Sequence, residues 1–263
     1  MIPRDYITEW RAQAPWVDDA QVEQDLVICR ALVAIFSHPL LKEALAFRGG
    51  TALYKLYLKP AARYSEDIDL VQIRAEPAGN VMEALREVLA PWLGKAQWKQ
   101  TEGRVTFSYR FQSEDPTPLP LRLKVEVNTR EHFTEHGLQC VPFAVESRWF
   151  TGACGITTYA IDELLGTKLR ALYQRRKGRD LFDMAMALAR DDVNPARIVT
   201  AFQRYMREGG HRVTREQFAE NLAMKLEAPR FLSDIPPLLA TGQTWKAQQA
   251  ATFVMERLLP LIP

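Results

Sequence analysis

The sequence predicts a mixed α/β (α+β) chain, a mixed sheet flanked by helices, followed by a mainly helical C-terminal domain. Three observations predict it. Apolar residues recur every three or four positions at Val22, Leu26, Cys29, Val33 and Phe36, and again at Val81, Leu85 and Leu89, which is the spacing of one helix face. Val105, Phe107, Tyr109 and Phe111, then Leu121, Leu123, Val125 and Val127, alternate with polar neighbours, as half-buried strands do. From about 159 onward helical patterns dominate and no convincing strand occurs. The boundary therefore falls between a core of residues 1–158 and a helical domain of 159–263, with no clear linker, internal repeat or low-complexity tract.

Composition narrows the class. A length of 263 residues suits one large domain or two small ones sharing a core. The hydrophobic fraction of 47% and charged fraction of 25% are ordinary globular values. A net charge of +2 does not announce a nucleic-acid binder, so any basic surface must be local. Cys29, Cys140 and Cys154 form no CxxC pair and cannot all be bridged internally, which fits a reducing compartment. The start, MIPRDYITEW, has no signal-peptide core, and no apolar run approaches about 20 residues. A soluble cytoplasmic protein with no membrane partner is expected.

Taken in order, Asp18-Asp19 precede a helix over about 19–36, and a second short helix follows Pro39. Phe47 lies in a strand that leads to Gly49-Gly50-Thr51. An amphipathic run then reaches a strand beginning at Asp67. Pro77 can start a helix that ends before Pro91. Segments 95–100 and 104–112 form a hairpin around Thr101-Glu102-Gly103, and the Pro-rich piece Asp115-Pro116-Thr117-Pro118-Leu119-Pro120 is a loop. Leu121–Asn128 is a strand with Arg122, Lys124, Glu126 and Asn128 on its polar face. Residues 129–158 give no clear pattern. His132 and His136 have the i, i+4 spacing of helical zinc ligands, but the H-E-x-x-H order is missing and Gly137 breaks the run, so a polar loop is expected.

Beyond 159, Ile161, Leu164, Lys168, Leu172 and Arg175 line one helix face. Lys168 sits mid-stripe, where an unpaired ammonium is expensive to bury; triphosphate oxygens or the acidic cluster would serve as its partner. Gly178 ends this helix and Asp180 caps the next. Further helices cover 194–208, 214–226 and 244–259. Arg204, Arg207, His211, Arg212 and Arg215 make that region locally basic, either a solvated face or a groove for an RNA backbone.

The chemistry concentrates between Phe47 and Leu70. Paired glycines allow backbone amides to turn towards a phosphate, and Thr51 can cap the helix that starts there. Asp67 and Asp69 point to one face of their strand, about 6.6 Å apart along it. Carboxylates at that spacing can share one or two Mg²⁺ ions. Glu126, on a neighbouring strand, is placed to add a third acid. Singly, a Gly-Gly is usually a turn and an Asp-x-Asp a solvated strand end; their order is the specific signal.

That order resembles the nucleotidyltransferase signature, and the wording RGGTAL then RYSEDIDL is similar to the AbiEii/AbiGii-type nucleotidyltransferase toxins, the group that includes the MenT-type toxins. A later string is also similar to the family's motifs, matched at Glu163, Lys168, Arg175, Arg179, Asp180 and Asp183. The resemblance spans about residues 20–190 and is dense only in these blocks. It implies a nucleotidyltransferase fold whose helical domain completes the active site. Asp67, Asp69 and Glu126 would hold Mg²⁺, with Mn²⁺ as an alternative; Asp is commoner than Glu at the third position. Gly49, Gly50, Thr51, Ser65, Lys168, Arg175 and Arg179 would bind the nucleoside triphosphate, and Lys168 and Asp180 would join the catalytic set. The resemblance further implies a toxin of a toxin–antitoxin or phage-defence pair, with a cognate antitoxin, that transfers a nucleotide to an RNA acceptor, the 3′ end of tRNA, and so blocks translation. Transfer to a protein or small-molecule hydroxyl, or a non-catalytic scaffold that binds nucleotide or partner, are the alternatives.

Overall fold

The computed structural model describes residues 2–114 and 117–263. Asp115 and Pro116, in the expected Pro-rich loop, lie outside the described residues. The chain divides into two units, one holding the residues up to Phe133 together with Leu138–Tyr159, the other Thr134–Gly137 with Ala160–Pro263.

The first unit opens with helices α1 (Arg4–Trp10), α2 (Asp19–Ser37) and α3 (Pro39–Ala44). Strand β1 (Leu45–Arg48) runs directly into the short helix α4 (Gly49–Ala52), which continues as a π-helical turn over Leu53–Tyr57. Then come β2 (Asp67–Gln72), α5 (Gly79–Leu93), β3 (Gln97–Thr101), β4 (Arg104–Gln112), β5 (Pro120–Asn128), β6 (Leu138–Glu146) and β7 (Thr151–Tyr159). They form one seven-stranded mixed sheet in the order β3-β4-β5-β2-β1-β7-β6. β2 pairs parallel with β5, and β1 parallel with β7. Leu45, Ala46 and Phe47 of the interior strand β1 are fully buried, as are Phe107, Tyr109, Leu123 and Val125. The alternation expected for 121–128 therefore holds: the apolar set faces the core and leaves Lys124 and Glu126 on the other face.

Asp25 ties this unit together at one end. The indole N–H groups of Trp10 (2.9 Å) and Trp16 (3.2 Å) and the Lys55 ammonium (2.6 Å) all donate to its buried carboxylate. A buried carboxylate is tolerable only when so satisfied.

Several local expectations change. The 129–158 segment contains a long antiparallel hairpin, β6–β7; Pro142 is accommodated because β6 is an edge strand, where a missing N–H breaks no ladder. Helix α5 starts at Gly79 and passes through Pro91 to Leu93. The stop is set instead by Gly94, whose φ of +79° only glycine adopts easily, and whose N–H bonds to Ala90 O. His132 and His136 lie outside any helix and contact the carbonyls of Gln72 and Arg197 respectively.

The second unit is helical: α6 (Ile161–Gln174), α7 (Gly178–Leu188), α8 (Pro195–Glu208), α9 (Arg215–Leu226), α10 (Pro229–Leu232) and α11 (Ala247–Leu258). Gly166 of α6 lets α8 approach: a Cβ there would lie 2.6 Å from Ala201 Cβ and 2.9 Å from Ile198 O. Gly178 does not end α6, which stops at Gln174; it begins α7, pressed so closely on Phe231 O that a Cβ would sit 2.2 Å away. Asp180 is not a cap either. It lies in the first turn of α7, after Lys177 at the N-cap, because its carboxylate is engaged by cations. Glu163, fully buried in α6, accepts from Thr134 Oγ1 (2.7 Å), the Glu135 and His136 amides (2.8 Å each) and Tyr205 OH (2.9 Å). That carboxylate is what ties segment 134–137 to the helices.

Candidate active site

The β1–α4 turn and strands β2 and β5 bring the predicted acids together. Gly49 has φ +82°, and a Cβ on it would lie 2.2 Å from Asp69 Oδ2. Two independent demands, the left-handed backbone and the close approach of a carboxylate, therefore require glycine. At Gly50 a Cβ would fall 2.7 Å from Arg63 Nη2 and 3.2 Å from Ser65 Oγ. Thr51 does not cap the helix, which already starts at Gly49; its hydroxyl lies 2.9 Å from Ser65 Oγ and donates to Asp67 O at 2.5 Å. Thr51 and Ser65 thus fix the glycine turn to the start of β2.

In the parallel β2–β5 ladder Asp69 pairs with Glu126 and Asp67 with Lys124, so all four side chains share one sheet face. Lys124 bridges the carboxylates, its ammonium 3.0 Å from Glu126 and 3.5 Å from Asp67, and Arg104 Nε lies 3.1 Å from the other oxygen of Glu126. Arg48 bonds to Glu131 at the same end of the sheet. Burial raises the pKa of Asp67, partly offset by Lys124. Burial also raises that of Asp69, reinforced by the negative charges of Asp67 and Glu126. Burial would lower Lys124, but Asp67 and Glu126 outweigh it and its pKa is raised. The face is a crowd of partly desolvated negative charge that Lys124 and Arg104 compensate incompletely. Among the described residues, no three or more His, Cys, Asp or Glu side chains are gathered as closely as a formed metal site requires; in this arrangement the carboxylates are drawn to Lys124 and Arg104 instead. The donors themselves suit a hard cation: two half-buried carboxylates whose ionisation is opposed by each other, with a third in register.

In the helical unit, the ammonium of Lys168 finds its partners on α7. It lies 3.2 Å from Asp180 and 2.9 Å from Asp183, all three side chains being buried. Arg175 grips Asp180 with two bonds, Nε at 2.6 Å and Nη2 at 2.7 Å. Burial alone would raise the Asp180 pKa; Lys168 and Arg175 outweigh it and hold it below the ordinary value. Arg179 is occupied elsewhere, with its backbone N–H and Nε both 3.1 Å from Asp234. The sequence reading missed Lys124 as a member of the acidic face. The signal was there, since Lys124 and Glu126 share strand parity.

Residues 30–252 match the family model described as nucleotidyl transferase AbiEii toxin, type IV TA system. The chain belongs to this family. It is a nucleotidyltransferase of a toxin group, and the type IV toxin–antitoxin assignment carries with it a nucleotide substrate and an antitoxin. Among solved structures the chain is similar to MenT4, a nucleotidyltransferase toxin from Mycobacterium tuberculosis H37Rv, with TM-score 0.68 and 18% identity over 100% of this chain and 91% of that one. It is also similar to a putative nucleotidyltransferase from H. pylori, with TM-score 0.57 and 16% identity over 90% and 92% of the two chains. At such identities the likeness is one of fold. A comparison with curated protein sequences found no match. Among the described residues no helix is long and apolar enough to cross a membrane.

Proposed function

We propose that this protein transfers a nucleoside monophosphate from an NTP to an acceptor hydroxyl, the 3′ end of a tRNA, in a Mg²⁺-dependent reaction in the cytoplasm that blocks translation, and that it serves toxin–antitoxin function or phage defence. The observation that carries this reading is the register of Asp67, Asp69 and Glu126 on one sheet face, with Asp69 packed against Gly49 of the β1–α4 turn.

In this reading the acceptor oxygen attacks the α-phosphorus, the new P–O bond forms, and the bond to pyrophosphate breaks. The Gly49–Thr51 turn receives the triphosphate tail, and Ser65, hydrogen-bonded to Thr51, fixes that turn or touches phosphate. Asp67 and Asp69 would hold Mg²⁺, and Glu126 would complete its shell beside the attacking hydroxyl. Bound there, Mg²⁺ supplies charge stabilisation for the attacking and leaving oxygens and a lowered hydroxyl pKa. Lys124 is the residue that must yield, since its ammonium compensates the same carboxylates. Lys168, Arg175, Arg179 and Asp180 keep the nucleotide-side roles that family membership suggests. Of these, Lys168, Arg175 and Asp180 act as one ion-paired cluster rather than as separate groups.

The test is incubation of the protein with Mg²⁺, each α-labelled NTP and purified tRNA. Label should appear at the tRNA 3′ end with wild type and be absent with Asp67→Ala. Label carried by a protein or small molecule and not by tRNA would overturn the acceptor assignment.

A further inference from the structure

We infer that the sheet unit contains a second small-molecule site, a cavity that takes a nucleoside phosphate and is lined by none of Asp67, Asp69 or Glu126. The cavity has a volume of about 260 Å³ and lies between the α4/π-helical segment, the 59–65 loop, the α1–α2 region and β6. Its size falls just below the usual range of small-molecule sites, about 300 Å³ and upward, which suits a mononucleotide better than a longer ligand.

The walls specify the chemistry. Buried Trp16, Tyr54 and Phe143 provide aromatic surface, while Lys59 and Gln13 are exposed at the rim, so the cavity has an aromatic interior and a solvent-facing mouth. Its charged lining is Lys55, Lys59 and Arg63 against Asp25 alone, three cations minus one anion, or +2. Asp25 is already satisfied by Lys55 and two indoles, so it opposes an incoming anion little. This balance excludes a metal cation and favours an anion, and the aromatic surface favours a planar group on that anion. Thr51 and Ser65 complete the wall with hydroxyls. Thr51, hydrogen-bonded to Ser65, donates to the main-chain carbonyl of Asp67, so a ligand in the cavity touches the groups that set the position of β2.

This inference rests on the nucleotidyl-transfer reading only for the choice of probe. The ligand is a nucleoside phosphate held apart from the substrate NTP, whose triphosphate tail the Gly49–Thr51 turn receives.

The test uses the full chain in EDTA, with binding of labelled nucleoside 5′-monophosphates followed by equilibrium dialysis. Saturable binding at one site per chain is expected, unchanged in Asp69→Asn. It should weaken at least tenfold in Lys59→Glu, which reverses a rim charge, and in Ala61→Trp, which fills the cavity; thermal melts verify that both variants fold. If Ala61→Trp fails to fold, Lys59→Glu decides alone. A KM for NTP in label transfer that Lys59→Glu leaves unchanged is expected of a second site, and one raised as much as the dialysis binding is weakened would identify the cavity with the substrate pocket and overturn the proposal. No saturable binding, binding that both folded variants leave unchanged, or equal displacement by inorganic phosphate would each overturn the proposal. Label transfer is measured separately with Asp67→Ala, so failure of the transfer reading leaves the dialysis result standing.

Discussion

Gly49 and Asp69 compete for the same space: a Cβ on Gly49 would lie 2.2 Å from the Asp69 carboxylate oxygen. Gly49→Ala therefore meets both a left-handed φ, costing about 1–2 kcal/mol for a non-glycine residue, and a displaced Asp69. We expect a measurably lower melting temperature and loss of at least about 100-fold in label transfer, ~2.7 kcal/mol of barrier. Gly50→Ala is the comparison. It meets the far end of the Arg63 side chain rather than an acid of the site, so it should cost less transfer. Equal transfer by Gly49→Ala and wild type would remove Asp69 from the mechanism.

Asp67 and Asp69 should weaken the fold while they serve the site. Their folded pKa values lie above the ordinary 3.8, so between that value and the raised one the native state holds more protons than the unfolded chain. Stability from this source falls as pH rises through that window and stays lower at neutral pH. In EDTA at pH 7, Asp69→Asn should melt above wild type, and the gap should close below about pH 3.8 as both carboxyls become protonated. Transfer by the variant should be abolished. Differential scanning calorimetry across pH would check the sign, and a variant less stable than wild type at neutral pH would contradict it.

Glu126→Gln retains size and hydrogen bonding but removes one of the charges that Lys124 compensates. We expect at least about a 100-fold loss of rate, or roughly 2.7 kcal/mol, with little change in melting temperature because Glu126 is not fully buried. A rate equal to wild type would return Glu126 to an ordinary sheet face.

Lys168→Met should be strongly destabilising, because it takes this cation from both Asp183 and Asp180, two buried carboxylates. Removing one partner of a buried ion pair costs about 3–5 kcal/mol. Adding Asp183→Asn should recover part of that loss, measured by urea denaturation. The pH dependence is opposite to that of the acidic face. Asp180 has a lowered folded pKa, so its contribution is present above its unfolded value and is lost as pH falls through the folded one. An undestabilised Lys168→Met would refute the buried-cluster account, and undiminished NTP-induced stabilisation of the folded variant would remove Lys168 from nucleotide binding.

Much of the sheet was readable because its strands obey simple parity. Leu121 to Asn128 alternates cleanly, and the same parity placed Glu126 with the aspartates' face once β2 and β5 pair in parallel. The β6–β7 hairpin was not readable: β6 is largely exposed, and β7 carries Gly152 and Gly155 among short side chains, so neither shows an apolar alternation. Lys168 shows the limit differently. Its place in an apolar stripe announced that a partner was needed, but the partners, Asp180 and Asp183, depend on how α7 folds back on α6. No spacing within one helix reveals that.

Glu163 has a consequence for modularity. The chain enters the helical unit at Thr134, leaves it after Gly137, and returns only at Ala160. A fragment beginning at Ala160 would contain every helix of that unit and still lack the short strap whose Thr134 hydroxyl and Glu135 and His136 amides neutralise the buried Glu163. It would be left with Tyr205 OH as the remaining donor from that set. Severed from the strap, the helices should be poorly soluble or fail to fold, and adding a peptide that spans 134–137 should not readily repair them, since so short a segment cannot hold its own shape. The two units are therefore distinct bodies but not exchangeable parts, and recombination between relatives of this chain should succeed only where both pieces of the helical unit travel together.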